Sequence, residues 1–185
     1  MHLSMTVVIL TFATCFLVKI RTVDAFPPLN RVKVTVVSED GITKEMQVIV
    51  HRAHFEGSYY VGNGLGMNLY LSLLASGQFT CKWTGCIGDY GSSSGTWKIQ
   101  PNGIVLNAQK AEGLLEDRPI TQLNVIQYQQ HFLLRDERYS GYFSNSPIGR
   151  SRCFHQEKAR KSIDDFVTRQ IQKEVQDKIE KSKKK

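Results

Sequence analysis

The sequence predicts a mainly β fold: an antiparallel meander forming a small barrel or sandwich, closed off by one C-terminal amphipathic α-helix. Three observations predict it. Apolar and polar residues alternate from Arg31 onward, the period of strands with one packed and one wet face. Gly-rich turns recur at short intervals between these runs, so neighbouring strands are joined as hairpins. In the last thirty or so residues the apolar spacing lengthens to three and four, which is the period of a helix.

Length and charge set the bounds. With 185 residues, 41% of them hydrophobic, the chain has room for one packed domain and an appendage. The net charge of +7 is unevenly placed. Residues 26–149 carry 10 basic and 10 acidic side chains, whereas residues 150–185 carry 12 Lys+Arg against 6 Asp+Glu. The basic character therefore belongs to the tail and points to no basic face on the β core. With no aromatic interleaving or motif beside it, no nucleic-acid partner is expected.

The N-terminus is apolar. Val7–Val18 has the length of a signal-peptide core and is short for a bilayer, and Val23-Asp24-Ala25 offers small residues for cleavage before Phe26. Residues 1–25 read as a signal peptide and the chain as exported, either secreted or held in the periplasm or cell envelope. Lys19 and Arg21 follow the apolar run, an arrangement that also suits an uncleaved membrane anchor. A buried N-terminal strand and lipidation at Cys15 are the other readings. Without the leader, Cys81, Cys86 and Cys153 remain, and export favours a disulfide among them. Cys81 with Cys86 would close a short loop, and Cys86 with Cys153 would tie the tail to the core. The spacing does not choose, and Cys-x4-Cys without a second pair does not suggest zinc.

Arg31–Val37 and Ile42–Val50 both alternate, and Ser38-Glu39-Asp40-Gly41 between them makes a hairpin turn. The central meander runs through Gly57–Tyr60, the Gly62-to-Gly66 turn, Leu69–Leu74, Phe79–Trp83, the Gly85–Tyr90 loop, Gly95–Trp97 and Ile104–Leu106. On it Leu69, Leu71 and Leu73 share a face, as do Phe79, Cys81 and Trp83. Ala111–Thr121 reads as a charge-rich loop. Leu123–Tyr128 and His131–Leu134 complete seven or eight strands. The β-domain thus spans 26–138, a Gly/Ser/Asn-rich linker 139–153, and a basic amphipathic helix 154–185. Ile163, Phe166, Val167, Ile171, Val175 and Ile179 form the helix's apolar stripe, with Ser162 and Asp165 as a candidate capping box and an alternative start near Gln156.

Each candidate for chemistry has a bland counterpart. His51-x-x-His54 on a strand would point to opposite faces and reads as a pair of edge histidines. Gly62-x-Gly64-x-Gly66 lacks the following helix that a phosphate loop needs, so it reads as a tight turn. Cys86 with Asp89 and a histidine among His51, His54, His131 and His155 has no motif to bring it together. No catalytic residue, metal or cofactor is therefore assigned. Tyr60, Trp83, Tyr90 and Trp97 are the candidate ligand-binding residues, because interior aromatics of a small barrel either fill it or line a pocket at its open end.

A resemblance adds to this reading. Gly57-x-Tyr59, Gly77-x-Phe79, Trp83-x-Gly85-Cys86-x-Gly88-x-Tyr90, Gly95-x-Trp97 and Ile104-x-Leu106 resemble a small β-domain of uncharacterised exported bacterial proteins. The strand, Gly-Thr-Trp, turn, strand phrase is also similar to small lipocalin-like barrels, although here Gly-x-Trp lies mid-chain. The lipocalin-like resemblance implies an apolar pocket and no catalysis. The expectation is a non-enzymatic exported protein holding a small apolar ligand. Its alternative is an envelope interaction or scaffold protein, meeting a protein or an anionic surface through the sheet and the basic helix.

Overall fold

The computed structural model describes residues 29–62, 68–136 and 153–183. The expected signal peptide and linker residues 139–152 lie outside them, as do residues 63–67 of the Gly-rich turn. The elements are β1 (Asn30–Val37), β2 (Thr43–Val50), β3 (Gly57–Gly62), β4 (Asn68–Leu73), β5 (Gln78–Gly85), β6 (Gly88–Gln100), β7 (Gly103–Gly113), the short α1 (Leu114–Asp117), β8 (Gln122–Tyr128), β9 (His131–Arg135) and α2 (Arg160–Lys183).

The described strands form one mixed sheet in the order β2-β1-β8-β7-β6-β5-β4-β3, with β9 paired to β8. From β3 to β8 every neighbour is antiparallel, as hairpin turns dictate. The exception is β1, which lies parallel to β8 with Val34 opposite Val125. A parallel pair needs a long crossover, and the whole β3–β7 meander supplies it. The strands alone do not close the sheet into a barrel. Between β9 and β3 stand two isolated bridges made by Phe154 and His155. Phe154 exchanges backbone hydrogen bonds of 2.7 and 3.0 Å with Leu134, and His155 exchanges two of 2.9 Å with Tyr60. Phe154 and His155, expected at the start of the helix, belong instead to the sheet.

Alternation along β8 divides the interior in two. Leu123 and Val125 face the main core, with Val32 and Val34, the β4 leucines, Phe79, Trp97 and Phe154. Ile126 and Tyr128 face a second core, with Val37, Leu133, Cys153, Ala159, Ile163 and Phe166. The N-terminal half of α2 is therefore the lid of the second core. Each such fully buried side chain contributes about 1.5–3 kcal/mol.

Three sequence expectations are corrected. The charge-rich stretch from Ala111 is not all loop: β7 continues to Gly113 and α1 follows. Lys110 and Glu112 pair across from Ser94 and Ser92 of β6, so their charge marks a wet face and not a turn. The expected Gly85–Tyr90 loop shrinks to Cys86 and Ile87, since β6 starts at Gly88 and runs on through the Gly/Ser residues, bulged between Ser94 and Gly95. A Cβ at Gly95 would run into the Asn107 carbonyl oxygen, which is why that position is bare. Ser162 does not cap the helix. A 3-10 turn at Glu157–Ala159 feeds directly into α2, and extended Gln156 precedes it, donating from Nε2 to the Glu56 carbonyl at 3.0 Å. Starting earlier puts Ala159 and Ile163 one turn apart on the buried side.

No disulfide joins Cys81, Cys86 and Cys153. Cys81 is on the packed face of β5, Cys86 on the exposed β5–β6 turn and Cys153 in the second core. The four extended steps from Cys81 to Gly85, at about 3.3 Å each, already span roughly 13 Å before Cys86 follows in the turn, well beyond disulfide reach.

Candidate functional site

The four candidate aromatics do not form one site. Trp83 and Trp97 point into the main core. Tyr90 stands edge-on to Trp83, with ring centroids 6.4 Å apart. Tyr60 points to the other face of the sheet, because its strand neighbours Tyr59 and Val61 take the core positions. There it meets Tyr70 across the β3–β4 ladder at 5.2 Å, and its hydroxyl donates to Asn68 Oδ1 at 2.7 Å. Trp97 is fully engaged by the protein. Its Nε1 donates to the Leu74 carbonyl at 2.9 Å, and the Arg52 guanidinium stacks over its ring at 4.4 Å.

The histidines are taken up locally. The His51 N–H donates to His54 Nδ1 at 3.3 Å, closing the 3-10 turn Arg52–His54 between β2 and β3. That nitrogen's lone pair is therefore occupied by the turn. His131 is buried beside the second core, and burial with nearby Lys158 lowers its pKa. His155 is buried in the seam, its Nδ1 3.0 Å from the Cys153 carbonyl oxygen. Cys86, by contrast, lies on an exposed turn whose Ile87 is 88% exposed, whereas both histidines are buried. Among the described residues no group of three or more His, Cys, Asp or Glu is placed to hold a metal. Gly62 and Asn68 end one strand and start the next, so the Gly-rich turn joins a hairpin and precedes no helix.

The surface that departs from ordinary packing is the distal half of α2. Its proximal half is pinned to the sheet. Phe166 packs edge-on to Tyr128 at 5.0 Å, Arg169 donates to the Tyr128 hydroxyl at 2.7 Å, and Gln170 donates to the Glu39 carbonyl at 3.4 Å. Pinning stops there. Ile171, Val175 and Ile179 continue the apolar stripe but are 56%, 50% and 43% exposed. At about 100° per residue, Lys178 and Ser182 fall on the stripe and Lys183 and Glu174 flank it, while Lys173, Asp177, Glu180 and Lys181 fall towards the opposite side. Gln176 donates to Glu180 Oε1 at 3.2 Å, holding that carboxylate away from the stripe. The apolar residues are spaced by four throughout, without the three-four alternation of a coiled-coil seam, so the stripe is narrow. Among the described residues no helix is long and apolar enough to cross a membrane.

Sequence reasoning saw Ile163 to Ile179 as one apolar stripe. What it missed is that a spacing of four drifts about 40° per step, which turns Ile171, Val175 and Ile179 away from the side buried at Ile163 and Phe166. No known protein family, curated protein or solved structure matches the chain, so the chemistry of the site is argued from its own geometry.

Proposed function

We propose that the protein is a non-enzymatic interaction protein of the cell envelope. The β core is its platform, and the projecting half of α2 is its contact with an anionic, apolar surface, namely a membrane rich in acidic lipid. One observation carries this reading: Ile171, Val175 and Ile179 are exposed in line, with Lys178 among them and Lys183 at their flank. An interfacial helix has that arrangement, apolar face down and lysines at the headgroups. Three half-exposed aliphatics and a few lysines, each worth about 1 kcal/mol near an anionic leaflet, give reversible, salt-sensitive attachment. The small-apolar-ligand reading has less support, since Trp83 and Trp97 are buried among the chain's own side chains.

The test is sedimentation of the protein with vesicles. Vesicles containing acidic lipid should carry it down, purely zwitterionic ones should not, and raising salt should release it. Val175→Asp or Ile179→Asp should abolish association while the fold is kept. Equal binding to both vesicle types, or no binding to either, would overturn the reading.

A further inference from the structure

The strand order ends in β3 on one side and β2 on the other. The outer side of β3 is taken. His155 exchanges backbone hydrogen bonds with Tyr60 there, and Gln156 reaches the Glu56 carbonyl. The outer side of β2 is not. Among the described residues Thr43–Val50 pair with β1 alone, in one unbroken register from Thr43 opposite Val37 to Val50 opposite Asn30. At eight residues this edge is long, and it has no Pro, no Gly and no bulge to interrupt it.

Its side chains suit a neighbouring strand. Met46 is 45% exposed although it stands on the packed face, directly opposite fully buried Val34. On the other face Ile49 is 57% exposed, opposite Arg31. The two charges of the strand, Lys44 and Glu45, are adjacent at its turn end, and Lys33 Nζ holds Glu45 at 2.8 Å. Such an edge presents a row of backbone donors and acceptors, flanked by aliphatic side chains, to another extended strand.

The sequence of β2 is complementary to itself in one register. In a two-fold antiparallel pair, residues opposite each other point to the same face, so the axis must pass beside a residue that meets its own copy. An axis at Lys44 or Glu45 sets like charges face to face, which is destabilising. An axis at Gln47 sets Glu45 against apolar Ile49 and Lys44 against Val50. An axis at Met46 opposes no like charges. It sets Met46 against Met46, Thr43 against Ile49 and Lys44 against Val48, and gives Glu45 the Gln47 carboxamide as a donor.

We propose that β2 is a self-pairing edge, through which two copies of this chain join antiparallel, centred on Met46, into one continuous sheet. The contact is isologous, so it closes at two copies. Its axis is perpendicular to the sheet, which leaves α2 of both copies on the same face, that of Val37 and Tyr128. Two exposed stripes then face one membrane together, which strengthens attachment without a new contact. That consequence rests on the membrane reading; the pairing does not.

The experiment is sedimentation equilibrium of the full chain from about 1 to 100 μM, a span that brackets micromolar dissociation constants. The expected species has twice the 21.0 kDa mass of one chain. Met46→Lys and Met46→Glu should each weaken the dimer at least tenfold. An equimolar mixture of the two should restore it, because the opposed charges then attract. Met46→Cys, in a chain carrying Cys86→Ser, should form an intermolecular disulfide on mild oxidation. Thr43→Cys in the same background should not, because its copy lies roughly 20 Å along the partner strand. These crosslinks decide the outcome if the charged variants do not fold. A monomer throughout, growth beyond the dimer, undiminished pairing by a folded charged variant, or equal crosslinking from position 43 overturns the proposal. So does loss of the dimer on truncation from Ile171, which would place the contact on α2.

Discussion

Cys81 lies on the packed face of β5 between Leu71 and Ser93, its register partners on β4 and β6. Burial, with the Asp136 carboxylate adding to it, pushes its thiol up to about 12. Burial raises Tyr59 as well, and its hydroxyl donates to the Phe55 carbonyl at 2.8 Å. In the unfolded chain these groups ionise near their ordinary values, while the folded protein keeps them protonated. Between roughly pH 9 and pH 12 the native state thus holds more protons, and stability must fall as pH rises through that window. Denaturant midpoints measured from pH 8 to pH 11 should be level at first and then drop, by at most about 1.4 kcal/mol per pH unit for each group. Cys81→Ala should flatten part of that slope, and an unchanged slope would show that the thiol is not buried as described. The same burial governs reactivity. A thiol reagent at pH 8 should modify Cys86 in the native protein and reach Cys81 and Cys153 only on unfolding. At Gly95 an added methyl meets backbone and not a yielding side chain. Gly95→Ala should therefore cost about 1–3 kcal/mol by overpacking, read as a lower denaturant midpoint.

At the level of elements, the two halves of α2 obey different rules. Ile163 and Phe166 are fully buried, whereas Ile179 is substantially exposed. Phe166→Ala should cost about 3–5 kcal/mol, as a large cavity opens against Tyr128. Ile179→Ala should change stability by less than about 0.5 kcal/mol. Comparable losses from both would mean that the distal half is packed. This contrast also marks how far the elements were legible in the sequence. Strict alternation exposed β1 and β5, because each has one wet face and one packed face, whereas β2, at the sheet edge, leaves Met46 exposed and buries only Val50. It failed for β6 and β7, where glycines and serines stand in a strand to admit the close approach of β7, and where Lys110 and Glu112 charge a solvent face. Of its two helix starts, the one near Gln156 matches the 3-10 entry after that residue, while the side-chain cap at Ser162 does not form. The split of the aromatics was readable in principle. Tyr59 and Tyr60 are adjacent in a strand and cannot face the same way, and Val61 with Tyr59 claims the interior.

For the whole molecule, the decisive fact is that Phe154, His155 and the proximal half of α2 complete the β-domain, while the distal half is surplus to it. The exposed stripe was legible as a pattern, and its exposure follows from the four-residue spacing, which drifts about 40° per step and carries Ile179 away from the side buried at Phe166. The division of α2 makes two truncations behave differently. Removing residues from Ser162 onward takes away Ile163 and Phe166 and uncovers Val37, Ile126, Tyr128 and Leu133. That protein should be destabilised by several kcal/mol, lose cooperative unfolding and aggregate through its bared sheet face. Removing residues from Ile171 onward leaves every buried residue of the second core in place. That shorter deletion should unfold at nearly the full-length midpoint yet no longer sediment with acidic vesicles. If it still sediments, the contact lies on the sheet and not on the helix. If it unfolds like the longer deletion, the distal half is structural and the exposed stripe is covered within the native protein.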